Sequence, residues 1–212
     1  KLIFLRKNEE IVMLKQLNNV AILGLSALAV ACGSGGGSGT AQTPDGAKVD
    51  LNNSDKGLVA SKTTDGTLIG YNQNHSFYGA WVNDDKTRQE IRYQGTVTPT
   101  ASIPKGSATY TGHAVRARDS IIAQNINGVQ ADGKTTLNVN FDTKKVDGKI
   151  EMPLTLHETS LNGNSFSGKA SVFLNDGGKY TGALYGPNAE EAAGIVTFDN
   201  NSALNTSFGG YR

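Results

Sequence analysis

Thr135 to Asp142, TTLNVNFD, constrains the fold more than any other stretch of the chain. Extended, it turns Leu137, Val139 and Phe141 to one face and Thr136, Asn138, Asn140 and Asp142 to the other. A period of two with one apolar and one polar face predicts a half-buried antiparallel strand. From Leu68 onward the same alternation recurs between Gly, Asn and Asp turns, at residues 76–82, 89–97, 107–117, 165–174, 179–186 and 194–200. Asp147-Gly148, just after the first strand, predicts a tight turn or hairpin.

A loose repeat runs through these segments: an aromatic, one residue, a glycine, one residue, then a small or β-branched residue. It reads YQGTV from Tyr93, YTGHA from Tyr110, FSGKA from Phe166 and YTGAL from Tyr180. Glycine weakens a strand but permits sharp bending and close approach of neighbours, which a closing sheet needs. A small closed barrel therefore fits better than a flat sandwich. Only Pro187 to Gly194 reads as a helix, with Asn188 as cap, Glu191 at the capping-box spacing and Gly194 at the end. The expected fold is all-β: a single small antiparallel up-and-down barrel of about eight strands with one short helix.

The N-terminal part has a different grammar. Residues 13–31, MLKQLNNVAILGLSALAVA, run from an early Lys through an apolar stretch to small residues, the order of a secretory signal. The apolar run is shorter than the roughly 20 residues a transmembrane helix needs. Ala29-Val30-Ala31 lead into Cys32, the single cysteine. That junction resembles the lipobox of bacterial lipoproteins, in which the Cys is acylated and becomes the mature N-terminus; Leu28 stands one place before the position the lipobox prefers. The competing reading is a lone buried Cys closing a hydrophobic helix, but Gly and Ser follow at once and no amphipathic pattern continues. Residues 1–12 read as upstream sequence translated in frame, with Met13 as the initiator. Residues 32–66 then form a lipidated Cys and a flexible Gly/Ser-rich tether, and residues 67–212 the barrel domain. The signal places the protein outside the cytoplasm, with the acylated Cys as its membrane anchor.

Beyond residue 31 the chain carries 16 Lys or Arg against 17 Asp or Glu. No basic stripe interleaved with aromatics remains, which excludes nucleic acid as a partner on electrostatic grounds. One cysteine excludes a disulfide framework and a cysteine metal site. No nucleophile elbow, paired metal-binding histidines, phosphate loop or calcium loop is present, so the expected protein is not an enzyme and holds no metal. Of three histidines, His157 lies on a polar strand face. His75 opens the first firm strand beside aromatics and His113 follows Gly112. Either could ligate haem iron through a neutral imidazole, although such residues more often simply pack at a strand end. Haem is therefore the one cofactor-like ligand the residues suggest.

Taken together, the lipobox-like Ala29 to Cys32 with its tether, YNQNHSFYGAW (71–81), GKTTLNVNFDTKKVDGKIE (133–151) and KYTGALYGPNAEEAAG (179–194) resemble Gram-negative surface lipoproteins whose barrel is that of transferrin-binding protein B. Relatives include the haemoglobin-haptoglobin utilisation lipoprotein, haemophilin-type haem binders and a lipoprotein that recruits complement factor H. The resemblance implies export by a surface lipoprotein translocon and hand-over of cargo to an outer-membrane TonB-dependent transporter. Full-size lobes of the family pair the barrel with a handle domain, whereas this chain is expected to hold one barrel and a short preceding segment. The matching motifs are scaffold strands, so no contact residues transfer.

Three functions follow. The first is a non-enzymatic receptor for a host iron source, either haem, haemoglobin or a transferrin-type protein, gripped by loops 83–89, 98–105 and 119–133. The second is an immune-evasion or adhesion lipoprotein binding a complement regulator. The third, a lipocalin-like carrier, needs an open interior, and Leu137 and Phe141 argue for a filled one.

Overall fold

The computed structural model describes residues 37–117, 125–126, 128–173 and 175–212. Short strands β1 (Thr40–Gln42) and β2 (Lys48–Asp50) pair as a hairpin. Next comes a four-stranded antiparallel meander: β3 (Gly57–Lys62), β4 (Gly66–Asn72), β5 (Ser76–Asn83) and β6 (Gln89–Gly95). The barrel follows, from β7 (Ser107–Ala117), with β8 (Asn125–Ile126) as a two-residue flap on β9 (Val129–Asn140). It continues through β10 (Lys145–Ile150), β11 (Leu154–Asn162), β12 (Ser165–Val172), β13 (Asn175–Tyr185), β14 (Glu191–Phe198) and β15 (Thr206–Tyr211). Each of β9 to β15 pairs antiparallel with the next, and β7 joins β15 to β9, which closes eight strands into a ring.

The ring is full. Tyr110, Leu137, Val139, Phe141, Val146, Leu156, Phe166, Tyr180, Val196 and Phe208 meet in one buried cluster. The interior tyrosines keep their hydroxyls satisfied: Tyr180 donates to His157 O at 2.6 Å and Tyr110 to Ala189 O at 2.7 Å. The aromatic–glycine repeat has a concrete cause. Phe166 lies opposite Gly182 and Tyr180 opposite Gly168 across β12 and β13, and a Cβ on Gly182 would sit 2.5 Å from the Phe166 ring. Each glycine is the space its neighbour's ring occupies, and the ring in turn covers the bare backbone.

Residues 40–62, expected as tether, instead carry β1, β2 and β3. The expected barrel domain 67–212 likewise divides, since β4 to β6 belong to the meander and only residues from 107 onward close the ring. The meander is a middle layer. Leu68, Phe77 and Trp81 on one face meet Ala41 and Leu51 of the hairpin segment, and Ile69, Ala80 and Val82 on the other meet Val115, Val129 and Ala131 of the barrel. With cover on both sides, every residue of β5 is buried.

Two local expectations fail. Residues 187–194 form no helix, and the only helical turns among the described residues are 3₁₀ turns at Thr100–Ser102 and Ser202–Leu204. Ala189 takes a left-handed φ of 59°, its carbonyl receives Arg212 Nε at 2.8 Å as well as the Tyr110 hydroxyl, and Asn188 N donates to the Glu190 carboxylate at 2.8 Å. These bonds hold a turn, and from Glu191 on the small residues Ala192, Ala193 and Gly194 are needed as strand against β13 and β15. Asp147-Gly148 is not a hairpin turn but a bulge inside β10. The turn comes earlier, at residues 141–144, where Thr143 N donates to Asn140 Oδ1 at 2.9 Å and Lys144 adopts a φ of 55°.

Candidate binding surface

Strand direction sorts the connections into two ends. At the end where β7 finishes lie β8 with Gly128, the turn 151–153, Phe173 and the connection 199–205. Val82 packs there against Val115 and Val129, so the meander contributes its 84–88 turn to the same end. The opposite end is closed. Ile103 packs on the barrel core, Thr98 N donates to Leu184 O at 2.9 Å, and Asn164 Nδ2 donates to Thr98 O at 2.7 Å. The described chain also enters at this closed end, where Gly37 O accepts from Thr96 Oγ1 at 3.1 Å.

Of the loops expected to make contact, 83–89 lies at the end where β7 finishes, and 119–133 returns there as far as it falls within the described residues. Loop 98–105 lies at the closed end and serves as its plug. The reading of the sequence missed Phe173. The alternation at residues 165–174 runs through it, but β12 stops at Val172 and Phe173 stands in the turn with 85% of its surface exposed. A large aromatic presented at a loop tip is the residue type that anchors protein interfaces. Beneath this rim Arg116 is buried inside the barrel mouth, where Nε donates to Thr206 Oγ1 at 2.9 Å and Nη1 to Met152 O at 3.1 Å. It ties the ends of β7, β15 and the 151–153 turn together.

At the other end the meander is latched to the barrel by Glu191, a buried residue of β14. Its carboxylate accepts from Asn74 N at 2.8 Å, His75 N at 3.0 Å and Ser76 Oγ at 2.8 Å. The sequence marks Glu191 only as a capping-box residue of a helix that does not form, because the donors it serves lie more than a hundred residues away.

The two candidate haem ligands are not brought together by any hydrogen bond or ring contact among the described residues. His75 sits in the β4–β5 turn, half-buried, with Nδ1 enclosed and bonded to no described residue. His113 is exposed on β7, its ring stacked on Tyr71 with centroids 4.2 Å apart and planes 3° apart. Burial, with Lys134 nearby, lowers its pKa below the ordinary histidine value. His157 is exposed, as its strand face requires, and its Nε2 shares a 2.8 Å hydrogen bond with Ser171 Oγ. Two concavities lie elsewhere. One of about 180 Å³ is lined by Thr100, Ile103, Phe141, Lys144, Leu161 and Gly163 at the closed end, and an open polar groove of about 400 Å³ crosses the outer wall of β7, β9, β10 and β11. Neither includes a histidine. No group of three metal-ligating side chains occurs among the described residues. Cys32 lies outside them.

The chain is similar in structure to transferrin binding protein B. A variant of that protein from Haemophilus parasuis Hp5 superposes with a TM-score of 0.64 at 20% identity, over 83% of this chain and 41% of that one. The isotype 1 protein of serogroup B Neisseria meningitidis gives a TM-score of 0.60 at 20% identity, over 84% and 39%. A protein described as a surface lipoprotein matches with a TM-score of 0.53 at 17% identity, over 83% of this chain and 95% of its own. The chain thus spans about two fifths of the transferrin binding protein B chains it matches, and the matched share takes in the meander as well as the barrel. In sequence, residues 103–212 match the family described as C-lobe and N-lobe beta barrels of Tf-binding protein B. With its ring of strands closed and filled in the manner described, the chain belongs to the family of transferrin-binding protein B β-barrels.

Proposed function

We propose that this protein is a lipid-anchored receptor on the cell surface that captures a host iron source, a transferrin-type protein or haemoglobin, without any catalytic step. Cys32 is the acylated anchor, followed by a short Gly/Ser tether. The observation that carries the reading is polarity: the described chain enters at the plugged end, and the exposed Phe173 with its neighbouring loops stands at the other. A barrel filled with side chains has no room for cargo, so the ligand is a macromolecule gripped from outside. The grip passes its cargo to an outer-membrane transporter.

Haem itself is the second ligand class. It would bind at the surface through His113, whose ring nitrogens no described residue engages, rather than in an enclosed pocket. His75 is the less open of the two. The test is capture from serum and haemolysate on immobilised full chain, with an absorbance titration of haem against the wild type, His75→Ala and His113→Ala. Recovery of transferrin or haemoglobin supports the receptor. A saturable Soret shift lost in one histidine variant makes haem the ligand. Recovery of a complement regulator alone would replace iron capture with immune evasion.

A further inference from the structure

The eight barrel strands all have two partners, whereas β3 has one. It pairs with β4 on one side, and no described strand pairs with the other. The barrel lies over β4, β5 and β6, which leaves β3 at the margin of the meander.

The phase of the free side can be read from the turn. Thr63 N donates to Gly66 O at 2.9 Å, and hydrogen-bonded pairs alternate along an antiparallel ladder. Ser61 opposite Leu68, Val59 opposite Gly70 and Gly57 opposite Asn72 therefore carry the bonds to β4. The N–H and C=O groups of Leu58, Ala60 and Lys62 are directed outward. Natural edges are blunted by charge, above all lysine, by proline or by bulges. Here only one end of the row carries charge, Lys62, ion-paired with Asp84 at the surface, while Leu58, 46% exposed, and Ala60 carry none. No proline or bulge interrupts it.

We propose that this edge pairs with β3 of a second copy of the chain. The sequence is self-complementary in the register that the outward groups impose. With Ala60 opposite Ala60 of the second copy, a two-fold axis passes through the smallest side chain of the row. Leu58 then faces the second copy's Lys62, whose aliphatic stem covers it while the ammonium stays in water. The product is a continuous eight-stranded sheet made from two meanders. An edge of six residues buries little area, so the dimer is weak and forms at high local concentration.

Sedimentation equilibrium of the full chain over a wide concentration range tests this. The wild type and Ala60→Thr should rise together toward twice the monomer mass. Ala60→Pro removes an outward N–H that the ladder to β4 does not use, so the meander stays folded by Trp81 fluorescence and association weakens at least tenfold. Leu58→Lys, with an intact backbone, sets like charges opposite each other and also weakens it. A wild type that stays monomeric throughout would overturn the proposal. So would association that neither Ala60→Pro nor Leu58→Lys diminishes.

Discussion

The barrel and the meander are both antiparallel sheets, yet they are held together differently. The barrel closes on itself, and its large side chains point into a common interior. The meander has two open edges and no interior of its own; its faces are buried only because the hairpin covers one and the barrel wall the other. The barrel's stability is local to its ring, whereas the meander's is borrowed. A single measurement separates the two, because Trp81, the only tryptophan, lies in the meander while most of the strand signal in circular dichroism comes from the barrel.

The largest expected effect comes from opening the ring. Tyr180→Ala removes a buried ring and the hydroxyl bonded to His157 O, at a cost of about 3–5 kcal/mol. Because the meander leans on the barrel, circular dichroism and Trp81 fluorescence should fall at one shared, lowered urea midpoint. Fluorescence surviving the loss of circular dichroism would break the comparison. Glu191→Ala is smaller, about 2–3 kcal/mol, because it leaves the turn at residues 74–76 without an acceptor. It should separate the probes, with Trp81 fluorescence changing first and the barrel persisting.

Asp45 sharpens the account of the outer layer. Partial burial pushes its carboxyl up, but bonds from Thr43, Thr63 and the N–H groups of Asp65 and Ala47 outweigh that and hold it below the ordinary carboxylate range. The folded state therefore binds its proton more weakly than the unfolded chain does. Its contribution is complete above the unfolded value of about 4 and is lost as pH falls through the folded one. Asp45→Asn should flatten the acid limb of the Trp81 transition and leave the barrel unchanged. His113 gives the smallest effect. Its depressed pKa means stability is complete above the unfolded value, about 6.5, and declines as pH falls toward the folded one. His113→Gln should remove that shallow slope, read by thermal midpoints between pH 5 and 8.

The barrel was legible where one face is core and the other water. Strand β9 alternates cleanly, and β7 does so as far as Ala114, because the ring has an inside and an outside. The same rule explains what was missed. Strand β15, TSFGGY, is buried at five consecutive positions, and its Gly209 and Gly210 lie against Tyr78 and the β7 backbone, so no alternation survives. The hairpin strands are three residues long and polar. The supposed helix failed because a capping-box spacing says nothing of Arg212 and Tyr110, which bond to the turn from elsewhere in the chain. For the binding surface, the resemblance pointed to loops but could not assign them to ends, and a strand pattern running through Phe173 hid the exposed aromatic that the rim presents.

The central claim is that the ligand is gripped at the end bearing Phe173, away from the end at which Gly37 lies. Surface plasmon resonance of the full chain over immobilised serum transferrin and haemoglobin, with Phe173→Ser run beside the wild type, tests it most directly. The account predicts saturable binding of at least one of these by the wild type and a loss of tenfold or more in Phe173→Ser, whose stability should stay within about 0.5 kcal/mol of the wild type. Equal binding by both proteins, or none by either, would contradict it.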